Sequence, residues 1–329
     1  MIDLASLLSL PGLSEDLPRV ETALHTSIEG DDPFLTEVAG HLISAGGKRL
    51  RPALTLAAAS IGASDGESPA SSDVVMGAVA VELVHLGSLY HDDVIDEAMS
   101  RRGVTSVNAR WGNLVAILAG DFLLARASEI AATLGTEVAG LLAATIGRLC
   151  TGQVREVRTA FDVSRTEAAY LTSIADKTAA LMSASCRIGG LVGHLPRPQI
   201  ESLTTYGQHV GMVFQIVDDI LDVVATDEQL GKPAGNDLVE GVYTLPVIRA
   251  LADADCAREL QGVLGGPIDR AEADRARRLV QSNGAVRAAK DVARLYAKEA
   301  AAALDGFPEI PVVGALRGVG DHLIDTIPA

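Results

Sequence analysis

Aromatic residues make up only 3% of this 329-residue chain, with a single tryptophan. That scarcity argues against a sheet protein, whose strands draw on aromatic and β-branched side chains. The hydrophobic share is nonetheless 48%, with Ala and Leu abundant, and these are strong helix formers. An all-α protein is expected. Positive charge is also short: 27 Lys and Arg stand against 43 Asp and Glu, a formal net charge of −16. Such a field repels nucleic acid and anionic lipid surfaces, so no nucleic-acid partner is expected. If the substrate is itself an anion, the few cations must be gathered locally to reverse the potential. Cysteine is sparse too. Cys150, Cys186 and Cys256 are far apart and form no CxxC pair, which argues against a disulfide framework and a structural zinc site and fits a reducing cytoplasm. Neither a signal peptide nor a spanning helix is expected from the non-basic start Met1-Ile2-Asp3-Leu4.

Apolar periodicity predicts helices over about 14–29, 33–44, 48–62, 73–97, 114–132, 136–158, 165–192 and 196–224, with shorter ones after 243. No run of alternating strands is evident. Val74–Leu89 is apolar nearly all the way round, and a helix without a polar face must be buried among others. One large helical bundle over 1–329, with no linker between domains, is the economical reading.

Two acidic clusters carry the chemistry. Asp92 and Asp96 of His91-Asp92-Asp93-Val94-Ile95-Asp96 lie four apart, on one helix face, and can aim two carboxylates at one point. Hard oxygen donors of this kind suit Mg²⁺, which takes few carboxylates and completes its shell from water and substrate phosphates. Asp218-Asp219-Ile220-Leu221-Asp222 repeats the spacing inside a strongly apolar helix, where unpaired carboxylates are costly. Facing clusters would repel unless cations lay between them. The basic groups sit near bends or helix ends: Gly46-Gly47-Lys48-Arg49-Leu50-Arg51-Pro52, then Arg101-Arg102-Gly103, Lys177-Thr178, and Lys232 in the loop after the second cluster. Free N–H groups at a helix start favour phosphate, and guanidinium groups bind its oxygens in pairs. A surface cap for the first run, and a lysine reaching out to water for Lys177, are the bland alternatives. Together the groups describe a site for diphosphates and Mg²⁺ beside a greasy cavity.

These pieces, GGKRLRP, ELVHLGSLYHDDVIDEAMSRRG, GQVRE, DKTAAL, FQIVDDILD, GKPAGNDLVEG and TLP, come in an order that resembles the trans-isoprenyl (polyprenyl) diphosphate synthase family, long-chain type, from about Gly46 to Pro246. The resemblance implies an all-α isoprenoid synthase bundle around a deep apolar pocket, usually homodimeric. It implies Asp92, Asp96 and Asp218 as ligands of three Mg²⁺ on an allylic diphosphate, supported by Asp93, Asp219 and Asp222. Arg101, Lys177 and Lys232 would grip that diphosphate, and Lys48, Arg51, His85 and Arg102 would hold isopentenyl diphosphate. The Lys177 carbonyl, Thr178 and Gln215 would face the reacting carbon, with Gln153 and Glu156 as an auxiliary polar pair. Ser88 and Gly87, four and five residues before Asp92, would point down the pocket and leave room for a product longer than geranylgeranyl, provided Tyr90 lies on another face. Such a product would draw the enzyme transiently to membranes. Val242 stands where many relatives have a lysine before TLP, Glu156 where several long-chain relatives have glutamine, and the tail Asp325–Ala329 lacks basic residues. A geranylgeranyl-length synthase, a class I terpene cyclase and a non-catalytic subunit of a heteromeric synthase are the other readings.

Overall fold

The computed structural model describes residues 11–62, 69–230 and 233–328; Gly231 and Lys232 lie outside them. The longer helices, numbered here in chain order, are α1 (Pro11–Ser27), α2 (Pro33–Ser44), α3 (Leu50–Ser60), α4 (Ser72–Ile95), α5 (Asn113–Thr133), α6 (Thr136–Arg158), α7 (Glu167–Ile174), α8 (Ala180–Val192), α9 (Arg197–Val224), α10 (Leu245–Leu251), α11 (Arg270–Ser282), α12 (Ala285–Ala302) and α13 (Pro311–Asp325). Their starts follow from local chemistry. Asp32 accepts hydrogen bonds from the N–H groups of Phe34 (2.9 Å) and Leu35 (3.3 Å) ahead of Pro33, and Ser71 accepts from Val74 at 3.3 Å. Each side chain satisfies a donor that the first helical turn leaves without an internal partner.

The all-α expectation holds, with three local differences. A two-residue hairpin pairs Ser100–Arg101 with Val104–Thr105, so the arginine pair sits on a tight turn in which Arg102 takes φ 54° and Gly103 φ 78°. Helix α3 begins at Leu50, because Arg49 is left-handed at φ 45°. The helix expected over 165–192 is interrupted: a π turn at Ala175–Ala179 separates α7 from α8. Such turns recur at functional sites, and this one carries Lys177 and Thr178.

Helix α4 has the length and hydropathy of a membrane span, but 67% of its apolar window is buried inside the protein, which makes it a core helix. It packs most extensively on α5, while α8 packs on α9 and α3, and α9 on α12. Two apolar clusters result. The larger runs from Leu13 to Ile327 through α4, α8 and α9, and the smaller gathers Leu238, Tyr243, Val247, Leu260 and Val280 beneath the C-terminal half of α9. Tyr90 is fully buried on the face of α4 toward α2, where its hydroxyl donates to the Val38 carbonyl at 2.7 Å. It therefore lies on another face from the expected pocket.

Candidate active site

The end of α4 and the middle of α9 open onto one cavity of about 970 Å³, whose wall includes Asp96, Glu156, Lys177, Gln215 and Asp219. The six cluster aspartates divide into two sets. Asp93, Asp219 and Asp222 are buried, whereas Asp96 and Asp218 are exposed and Asp92 is half-buried. The first set is held by the protein. Arg101 places Nε 2.7 Å and Nη2 2.6 Å from one oxygen of Asp93. Tyr170 donates its hydroxyl to Asp219 at 2.5 Å, Gln215 donates its amide to the other oxygen at 2.8 Å, and the Asp237 N–H reaches Asp222 at 3.3 Å. The second set is partly or fully exposed to solvent.

Burial pushes the Asp92 carboxyl up to about 6; Lys177 opposes the shift and Asp96 adds to it. Burial likewise raises Asp219 to about 7 against the hydrogen bonds from Tyr170 and Gln215, with Asp218 adding repulsion. Carboxylates so placed gain from an arriving dication. No three His, Cys, Asp or Glu side chains among the described residues converge closely enough to hold an ion alone. Hard oxygen donors from both clusters in the wall of one cavity, Asp96 exposed and Asp219 buried, fit an ion that brings phosphate oxygens with it, and Mg²⁺ binds in that manner.

Lys177 does not reach out to water. Its ammonium pairs with Glu156, and although burial lowers its pKa, Glu156 and Asp92 raise it further, so it remains a cation. Thr178 donates to the Gln215 carbonyl oxygen at 2.7 Å, continuing a chain through Asp219 to Tyr170. The Gln153–Glu156 segment reaches this turn because residue 152 is glycine: a Cβ there would come within 2.9 Å of the Lys177 Cα.

The second basic group forms a separate constellation. Glu82 is 2% exposed and sits among Arg49, Arg51, Arg102 and His85. Arg49 is a structural clip, with Nη1 2.9 Å from Glu82 and Nη2 2.6 Å from Glu21. Arg51 has no anion at hydrogen-bond distance on its Nε, and burial lowers it to about 10, with Glu82 opposing. Burial first, then Arg51 and Arg102, hold His85 well below 6.5 and therefore neutral near pH 7. The Arg102 guanidinium lies across Gly47, where a Cβ would come within 2.8 Å of it, and donates to the Leu42 and Gly46 carbonyls. Lys48 is exposed beside it. Lys232 lies outside the described residues, so its expected place in the site is not seen.

Gly87 and Ser88 have different surroundings. A Cβ on Gly87 would meet the Gly120 carbonyl at 3.0 Å and the Leu124 side chain at 3.2 Å, so this glycine lets α4 and α5 approach. Ser88 is half-buried, with its hydroxyl turned back on the His85 carbonyl at 2.8 Å. Tyr170 and Arg165 lie outside the matching stretches, and Glu82 opens one of them without a role that the pattern assigns; their partners lie 49, 78 and 33 residues away.

Comparison with known proteins gives the family. The family model for polyprenyl synthetase matches residues 32–281. A nonaprenyl diphosphate synthase of Mycobacterium tuberculosis is 40% identical, covering 98% of this chain and 96% of that protein. The heptaprenyl diphosphate synthase component 2 of Geobacillus stearothermophilus is also 40% identical, covering 94% and 96%. A polyprenyl synthase of Caulobacter crescentus, solved with calcium and isoprenyl diphosphate, superposes with TM-score 0.91 at 33% identity over 99% of this chain and 98% of that one. Shared sequence and shared fold lead to one conclusion: the chain belongs to the polyprenyl synthetase family and is a prenyl-transferring enzyme of the all-α isoprenoid synthase fold.

Proposed function

We propose that this enzyme extends an allylic diphosphate with isopentenyl diphosphate, several times over, to an all-trans polyprenyl diphosphate longer than geranylgeranyl. The observation that carries the reading is the one cavity whose wall joins Asp96 of the first cluster and Asp219 of the second to Lys177 and Gln215. The names of the nonaprenyl and heptaprenyl relatives support the length. Both acidic clusters are complete and assembled, so nothing favours a non-catalytic subunit.

Asp92, Asp96 and Asp218 would hold Mg²⁺, three ions with substrate bound, and the metal would supply charge stabilisation to the departing pyrophosphate. Lys177 and Arg101, oriented by Glu156 and Asp93, would add donors to the same group. Lys48, Arg51, Arg102 and the neutral His85 would hold isopentenyl diphosphate at the second basic constellation. The oxygens of Thr178 and Gln215, fixed by their mutual hydrogen bond, would face the allylic cation. The isopentenyl double bond attacks that cation, and the departing pyrophosphate takes the proton, so no protein nucleophile is needed. The apolar part of the wall, Ile95, Val157, Ile174 and Val242 among it, would limit the water that could quench the cation.

Removing divalent metal with a chelator is expected to lower pyrophosphate release to background, and added Mg²⁺ to restore it; release that persists in the chelator would overturn the metal assignment. Ser88→Phe, four residues ahead of Asp92 on α4, is expected to shift products to geranylgeranyl length or shorter, read by chromatography of the dephosphorylated lipids. An unchanged product ladder would remove Ser88 from the length-setting wall.

Two exposed apolar regions support a second copy and a membrane as partners. Leu114, Ile117 and Leu118 of α5 are 71%, 41% and 55% exposed, and Val154 and Val157 of α6 are each 56% exposed. This apolar face supports a homodimer. Ile95 and Met99, both in the cavity wall and 49% and 73% exposed, would offer a lengthening product a path toward transient membrane contact from the cytoplasm.

A further inference from the structure

Arg165 stands in the bend before α7, in the wall of the same cavity and only 6% exposed. Its Nη1 donates to the Tyr243 carbonyl at 3.1 Å, and its guanidinium lies 5.6 Å from the Tyr170 ring centroid. Its Nε and Nη2 are buried with no hydrogen-bond partner. The described cations in the cavity wall are Arg101, Lys177 and Arg165. The first two each have a carboxylate at contact distance, while Arg165 has no ion pair among the described residues. A buried cation with open donors is costly to the fold unless an anion partners it. Glu156, Asp219 and Asp162 raise its pKa only against a larger lowering by burial.

The anchor points to what that anion is. Tyr243 follows Val242, an uncharged residue that itself lines the cavity beside the guanidinium's backbone anchor. We propose that Arg165 is a diphosphate-binding residue, supplying from the α7 side the positive charge that Val242 does not. The guanidinium, held at Nη1 by the backbone, presents Nε and Nη2 as a fork to the oxygens of the metal-bound pyrophosphate group. This assignment rests on the reading of the cavity as the allylic diphosphate site. It also marks Arg165 and Val242 as a paired exchange, in which a lysine at 242 makes the arginine dispensable.

Calorimetric titration of the purified enzyme with pyrophosphate in the presence of Mg²⁺ tests it without turnover. Loss of charge-assisted hydrogen bonds in R165M is expected to weaken binding by about tenfold or more, while R165M with V242K recovers most of that loss. Titration with isopentenyl diphosphate in the absence of metal is expected to match the wild type, because other cations hold that ligand. R165K keeps the charge but not the fork, so it serves if the methionine variant does not fold; it is expected to weaken Mg²⁺-pyrophosphate binding and spare isopentenyl diphosphate. Wild-type affinity in R165M, equal loss for both ligands in R165K, or a double variant as weak as R165M would overturn the proposal. A wild-type enzyme that does not bind Mg²⁺-pyrophosphate would overturn the allylic-site reading itself.

Discussion

Asp92→Ala is expected to lower kcat by about 10²-fold or more, on the scale of losing one preorganised group that stabilises a developing charge, with no loss of thermal stability in the metal-free protein. The two halves of this expectation have one cause. Asp92 is a half-buried carboxyl raised to about 6 chiefly by desolvation, so in the absence of a cation its charge works against the fold. With metal and diphosphate present the same charge becomes a ligand, and its removal falls on the step in which pyrophosphate departs. Single-turnover rates with a farnesyl primer, paired with melting curves in chelator, measure both. A variant that keeps its rate would remove Asp92 from the metal set, and one that melts well below the wild type would show that the carboxylate is structural.

Glu82→Ala is expected to destabilise the protein by about 3 kcal/mol, the scale of breaking a buried ion pair by removing one partner. Glu82 is 2% exposed and binds Arg49 at 2.9 Å, and its charge also acts on Arg51 and Arg102. Without it, three guanidinium groups share one region whose remaining counter-charge is Glu21, held on Arg49. A diphosphate bound to these cations would supply the missing negative charge. Isopentenyl diphosphate is therefore expected to raise the melting temperature of Glu82→Ala more than that of the wild type, since a ligand stabilises the folded state to which it binds. Equal shifts in both proteins would separate Glu82 from the ligand site. Melting unchanged by the substitution would contradict the clip itself.

The two variants mark what could be read in the sequence and what could not. Asp92 was legible because DDxxD places two carboxylates on one helix face, and its recurrence at Asp218 in an apolar stretch demanded an explanation. The order of acids and bases then carried the family resemblance, and the all-α architecture followed from few aromatics, abundant Ala and Leu, and helical periodicity. Glu82 was not legible. It opens the ELVHLGSLYHDDVIDEAMSRRG stretch of α4, but nothing in that pattern gives the carboxylate a role, and its meaning comes from Arg49, 33 residues away. Tyr170 and Arg165 are similar, each defined by a partner across the fold. The π turn at Ala175–Ala179 was invisible because Ala-Asp-Lys-Thr-Ala has the composition of an ordinary helix; close packing of Gly152 against the Lys177 backbone marks it instead. Gly87 was assigned to the pocket from its spacing to Asp92, yet its small size also serves the approach of α4 to α5. Spacing reports which face a residue shares, not how near the neighbouring helix lies.

The central claim is that this cavity joins isopentenyl units to an allylic diphosphate until the chain exceeds geranylgeranyl length. Its most direct test is to incubate the purified enzyme with Mg²⁺, labelled isopentenyl diphosphate and a geranyl, farnesyl or geranylgeranyl diphosphate primer, then to separate the dephosphorylated products by chromatography. The account predicts a ladder of polyprenols extending beyond geranylgeraniol. Products ending at geranylgeraniol or shorter would contradict the assigned length, and the absence of product with every primer would contradict the catalytic reading.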